Sequence, residues 1–195
     1  MTIRRVTGAF AAVIAVACAT TGPPWVPAGD YTPPSRKYSV RFPQGWMRVA
    51  EQDWVLASKD GVFLQHIRVR VLDTGKPLGS TKKMLSRGML PQEAAEVVRD
   101  AIASAPGMQG MTLIENVPAE LAGRPAFKLV VAYKDADGLK MKAVVYGALV
   151  GDSLYEVMYR APERHYFERD LAALERVRSS FKVGAPAAVP ARQSN

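Results

Sequence analysis

The sequence predicts an α+β domain, an antiparallel β-sheet packed with helices. Three observations carry this. Apolar and polar residues alternate with period 2 in many short runs, those runs are joined by hairpin-type turns, and apolar residues recur at helical spacing in two longer segments. The chain of 195 residues is 48% apolar and 23% charged, too apolar for a disordered chain. It is too short for a large multidomain enzyme, and its single cysteine excludes an internal disulfide or a cysteine-rich zinc site.

Taken in order, residues 37–42 alternate Tyr38, Val40 and Phe42 against Lys37, Ser39 and Arg41, and Pro43-Gln44-Gly45 turns them into a strand over 46–50. A strand over 54–58 follows, and Lys59-Asp60-Gly61 predicts a tight hairpin into a strand over 62–72. In that strand Ile67, Val69 and Val71 point one way and His66, Arg68 and Arg70 the other. A shorter helix over 81–87, broken near Gly88, is expected next. A longer helix starts at Pro91, with Gln92 and Glu93 in its first turn and Ala94, Val97, Val98, Ala101 and Ile102 as its stripe, and it ends at Pro106-Gly107. Strands over 111–117, 126–134, 139–150 and 153–160 meander through turns at 135–138 and 151–152. The last helix, 163–181, carries Phe167, Leu171, Leu174, Val177 and Phe181.

Ahead of the domain, Arg4 and Arg5 precede a short apolar run over 6–17, the pattern of a secretory signal and too short to span a bilayer. Ala15-Val16-Ala17-Cys18 then resembles the lipobox of bacterial lipoproteins, although Ala15 stands where that family usually has Leu, Val or Ile. The resemblance implies cleavage before Cys18 and a diacylglycerol on its sulfur; several acyl chains there give stable anchoring. It also implies, from Ala19, the outer rather than the inner membrane. The other reading is an ordinary signal cleaved after Ala17, which leaves Cys18 a free thiol. Residues 1–17 are therefore read as signal peptide and 18–35 as the anchor and a tether rich in proline (Pro23, Pro24, Pro27, Pro33, Pro34). In polyproline II form that tether reaches on the order of 50 Å. The domain is placed at 36–183 and a flexible tail at 184–195.

Tyr38-Ser39-Val40-Arg41-Phe42-Pro43-Gln44-Gly45-Trp46 resembles the opening of PsbP-like domains, and Ser179-Ser180-Phe181-Lys182-Val183 resembles the close of their last helix. The resemblance implies an α/β/α sandwich over 36–183 and a role in binding other proteins or assemblies. The matched residues read as core: Pro43 and Gly45 turn the chain, and Trp46 and Phe181 bury large rings.

Catalytic motifs are scarce. Ser80-Thr81-Lys82-Lys83 has the S-x-x-K spacing of penicillin-recognising enzymes, but no K-T-G or S-D-N string supports it, and a capping serine with solvated lysines explains it. Two histidines, His66 and His165, do not supply a zinc ligand set. No catalytic residue, metal or cofactor is expected. The formal charge of +8 leaves a basic signal. Arg36, Lys37, Arg41 and Arg48 crowd the first hairpin, and with His66, Arg68 and Arg70 they form a candidate patch for an anionic partner, or else a solvated face paired with Asp and Glu. Nucleic acid is not expected for an exported chain. The leading reading is a non-enzymatic, lipid-anchored envelope protein facing the periplasm whose domain binds an envelope protein. The alternative is a carrier or sensor of a small amphiphile in a pocket between sheet and helix, near Met84, Met89, Met141 and Met158.

Overall fold

The computed structural model describes residues 24–184. In chain order the elements are β1 (Val26–Pro27), β2 (Asp30–Tyr31), β3 (Tyr38–Arg41), β4 (Met47–Ala50), β5 (Trp54–Ser58), β6 (His66–Asp73), α1 (Pro91–Ala103), β7 (Gln109–Leu121), β8 (Arg124–Lys134), β9 (Lys140–Val150), β10 (Ser153–Pro162), α2 (Tyr166–Ser180) and β11 (Lys182–Val183). An eight-stranded antiparallel sheet has the order β1-β4-β5-β6-β10-β9-β8-β7, and a small sheet the order β11-β3-β2. The α+β expectation holds. Signal peptide, Cys18 and most of the tail lie outside the described residues.

Period-2 patterning becomes two cores because both faces of the large sheet are covered. On one face Val55, Ile67, Val69, Val157 and Tyr159 pack with α2 (Phe167, Leu174, Val177) and with β3 (Tyr38, Val40). On the other, α1 lays Ala94, Val97 and Val98 over Phe127, Leu129 and Val145. That helix covers β7, β8 and β9 but not the β4–β6 end. The two family-like motifs meet in space. Lys182 and Val183 pair with Ser39 and Tyr38, and the Phe181 ring stacks on Tyr38 at 5.6 Å between centroids. Ser180 Oγ accepts the Arg41 backbone N–H at 2.9 Å.

Besides shifted ends, such as β7 over Gln109–Leu121 and α2 over Tyr166–Ser180, the structure differs from the sequence reading in three local places. Residues 81–87 are not helical. Gly79 at φ +60 and Gly88 at φ +84 bracket them, Thr81 Oγ1 donates to the Leu78 carbonyl at 2.9 Å, and a bridge joins Pro77 to Met84, so side chain and backbone satisfy a turn instead. The hairpin after Lys59 is not tight. Gly61 donates its N–H to Ser58 Oγ at 3.0 Å, and that hydroxyl donates to the Gln65 carbonyl at 2.7 Å. These bonds hold a connection over 59–65, so β6 starts at His66. Finally, part of the segment read as tether is docked, since Val26 and Pro27 pair with Arg48 and Met47, and Asp30 and Tyr31 with Arg41 and Val40. Proline is compatible with such an edge.

Candidate functional site

The structure does not bring the seven basic residues together. Arg36, Lys37 and Arg41 precede or lie on β3, which joins the small sheet on the α2 side, while Arg48 is on β4 of the large sheet. Arg36 is exposed in a left-handed conformation at φ +52, and Lys37 pairs with Asp53 at 3.4 Å. Arg41 pairs with Asp30 at 2.6 Å, and Arg48 lies 4.8 Å over the Tyr31 ring. His66, Arg68 and Arg70 point to the opposite, α1 side.

There a residue row from β10 completes them. The register sets Arg160 opposite His66, Met158 opposite Arg68 and Glu156 opposite Arg70. Glu156 is 1% exposed and binds both neighbours. Arg70 donates from Nε to Oε1 at 2.7 Å and from Nη2 to Oε2 at 2.8 Å, and Arg68 donates from Nη2 to Oε1 at 3.2 Å. Burial works to raise the Glu156 carboxyl, but Arg70 and Arg68 outweigh it and hold the group ionised below its ordinary range. Burial lowers Arg68 from its usual value, the mark of a charge incompletely compensated.

Arg160 is the third guanidinium, and among the described residues no carboxylate pairs with it. Its Nε, like that of Arg68, is buried without a hydrogen-bond partner. His66 adds no charge at neutral pH. Burial, opposed by its bond to Val62 and reinforced by Arg160 and Arg68, drives it down to about 4. Its Nδ1 lies 2.9 Å from the Val62 carbonyl, so the neutral ring must donate from Nδ1.

These residues floor a cleft of about 410 Å3 between the sheet and the C-terminal half of α1, closed at one side by Leu78 and Gly79. Its upper wall is apolar: Val98, Ala101, Ile102, Ala105 and Met108. Tyr133, Ala143 and Met158 complete the floor, and among the described residues no carboxylate lines it. Beyond Arg68 and Arg70 the uncovered β5–β6 face continues as a second hollow with Asp53, Trp54, Leu56 and Leu72. Of the four methionines expected around a pocket, Met158 alone lines the cleft. Met141 is buried in a cluster with Val131 and Tyr133, Met89 packs against the core beneath α1, and Met84 is exposed. The S-x-x-K string is in a turn, where the Lys83 amine pairs with Asp100 of α1 rather than with Ser80.

The sequence reading missed Glu156 and Arg160. Their signal is the alternation Glu156, Met158, Arg160 inside an otherwise apolar strand, where two charges on one face call for partners across the ladder. It also missed the corner beside them. Phe63 is 86% exposed in the 59–65 connection, with Leu64 next to it. Exposed Met47 is opposite Ser58, the residue that opens that connection. Among the described residues, no helix is long and apolar enough to cross a membrane.

The PsbP family model matches residues 29–183. No curated protein matches the chain in sequence. Among solved structures, CyanoP, the cyanobacterial PsbP of Synechocystis, is similar at 15% identity and a TM-score of 0.58, covering 87% of this chain and 98% of its own. The Ran-binding protein Mog1p of Saccharomyces cerevisiae is similar at 10% identity and a TM-score of 0.54, covering 80% of this chain and 95% of its own. A Bacteroides thetaiotaomicron protein matches at 11% identity and a TM-score of 0.54 over 82% of this chain, which spans only 50% of that protein's length. At these identities the likeness is one of fold.

Proposed function

The chain belongs to the PsbP family, and we propose that it is a non-enzymatic, membrane-anchored envelope lipoprotein whose domain is a protein-interaction module. The observation that carries this reading is the incomplete cover of one sheet face. α1 shields β7–β9, while the β4–β6 end presents Trp54 and Leu56 at an apolar hollow, and exposed Met47, Phe63 and Leu64 extend the apolar surface at the other end of the same strands. An apolar surface rimmed by Arg68, Arg70 and Asp53 has the make-up of a protein-binding face. The Ran-binding neighbour supports the same reading for the fold as a platform. Glu156 is held by two arginines and is not free to act as a base, which favours binding over catalysis. Anchoring rests on Cys18 and its flanking small residues, with the periplasmic side of the outer membrane as the proposed place.

The test combines both halves of the proposal. Expressed in its bacterial host, the wild-type chain should take up labelled palmitate and fractionate with membranes, and Cys18→Ala should lose both. Affinity purification from mild detergent should recover a stoichiometric envelope protein with wild type and less of it with Phe63→Asp. Unchanged labelling in Cys18→Ala contradicts the anchor, and equal recovery with Phe63→Asp contradicts the interaction face.

A further inference from the structure

The α1-side cleft holds an unbalanced positive charge. Three guanidiniums (Arg68, Arg70, Arg160) stand at its floor, His66 is neutral, and the compensating carboxylate, Glu156, is beneath the surface and shared by two of them. Two positive charges are thus left over in a half-enclosed, partly desolvated space, an arrangement that favours an anion entering from solvent. Arg160 has no carboxylate partner among the described residues, and its Nε is buried without a hydrogen-bond acceptor. The opposite wall, from Val98 to Met108, is apolar. A ligand that satisfies both halves carries an anionic head and an apolar body.

We propose that this cleft binds a single-chain anionic amphiphile, its carboxylate or phosphate head on Arg160 and Arg68 and its chain along the α1 wall. The cleft volume, about 410 Å3, is near the lower end of the usual range for small-molecule sites, about 300–1,000 Å3, which suits one alkyl chain rather than a diacyl lipid. A guanidinium is the donor suited to both head groups, through paired N–H bonds. This goes beyond the interaction module, and either can fail without the other.

The test is isothermal titration of the full-length chain carrying Cys18→Ser with decanoate, decyl phosphate, decanol and decyltrimethylammonium, and with acetate and inorganic phosphate. Decanoate and decyl phosphate should bind saturably, and decanol and the cation at least about tenfold more weakly, the worth of one charge-assisted contact. Acetate and phosphate should be weaker again. Arg160→Gln should lower decanoate affinity about tenfold or more at unchanged secondary structure, with Arg160→Lys restoring part of it. Should Arg160→Gln fail to fold, Ala105→Trp, which fills the apolar wall of the cleft, should block decanoate instead. Equal binding of decanol, binding of inorganic phosphate as tight as decyl phosphate, no saturable binding, or full affinity in the folded variants overturns the proposal.

Discussion

Replacing Glu156 by glutamine removes the one negative charge that two arginines share beneath the cleft while nearly keeping its volume. Three hydrogen bonds to guanidinium, at 2.7, 2.8 and 3.2 Å, lose their charge or their acceptor, because the new amide nitrogen cannot accept. Breaking a buried ion pair costs about 3–5 kcal/mol, since the remaining charge has no counterpart. Arg68 and Arg70 are 29% and 27% exposed in their side chains, so water recovers part of that cost. The lower end, about 3 kcal/mol, is therefore expected. For a domain of this size that lowers the melting temperature by about 6–12 °C. Acid pH should do the same to wild type. The carboxyl is depressed below its ordinary 4.5, so its contribution is complete above that value and is lost as pH falls through its lower, folded-state one. Urea unfolding followed by tryptophan fluorescence measures the loss. The Glu156→Gln and Arg70→Gln double variant should be more stable than the sum of the singles implies. A Glu156→Gln protein within about 0.5 kcal/mol of wild type, or an additive cycle, refutes the reasoning.

Other perturbations follow from the same geometry. His66, depressed from 6.5 to about 4, stays neutral in the fold while the unfolded chain takes up a proton, so stability present above 6.5 is lost as pH falls toward 4. Between about pH 7 and pH 5 wild type should lose about 2 kcal/mol from this group, and His66→Gln should flatten that part of a pH–stability curve. Gly147 faces both Phe127 and Glu156 across its neighbouring strands, and a Cβ there would sit 2.3 Å from Phe127 Cζ. Gly147→Ala should cost about 1–3 kcal/mol in denaturant, with Phe127→Leu in the same chain recovering part. Arg41 and Asp30 are more than two-thirds exposed, so Arg41→Ala should leave the calorimetric melting temperature at its wild-type value.

Much of this architecture is legible because the central strands bury one or both faces. The alternation over Ile67, Val69 and Val71 gives the buried side of β6 although not its start, β5 falls on the expected residues, and Phe167, Leu174 and Val177 mark the buried side of α2. The segment 81–87 reads as helix because it contains no glycine or proline, whereas Thr81 and the flanking glycines close it as a turn. The site was legible only by halves. The sequence shows which side of a strand Arg68 and Arg70 occupy, but not that β10 is its neighbour, and only that pairing reveals Glu156 and Arg160. The basic residues of the first hairpin look contiguous with them in sequence. Arg36, Lys37 and Arg41 part from them because β3 joins the small sheet on the α2 side, a long-range choice made by its pairing with β11, and Arg48 on β4 is turned to the Tyr31 ring.

The central claim, that the uncovered β4–β6 face meets a protein partner in the envelope, is tested most directly by site-specific photo-crosslinking in intact cells. A photoreactive residue at position 63 should give one discrete adduct with an envelope protein, and the same residue at exposed position 176 on α2 should give none. Adducts of equal yield from both positions, or none from position 63, would contradict the account.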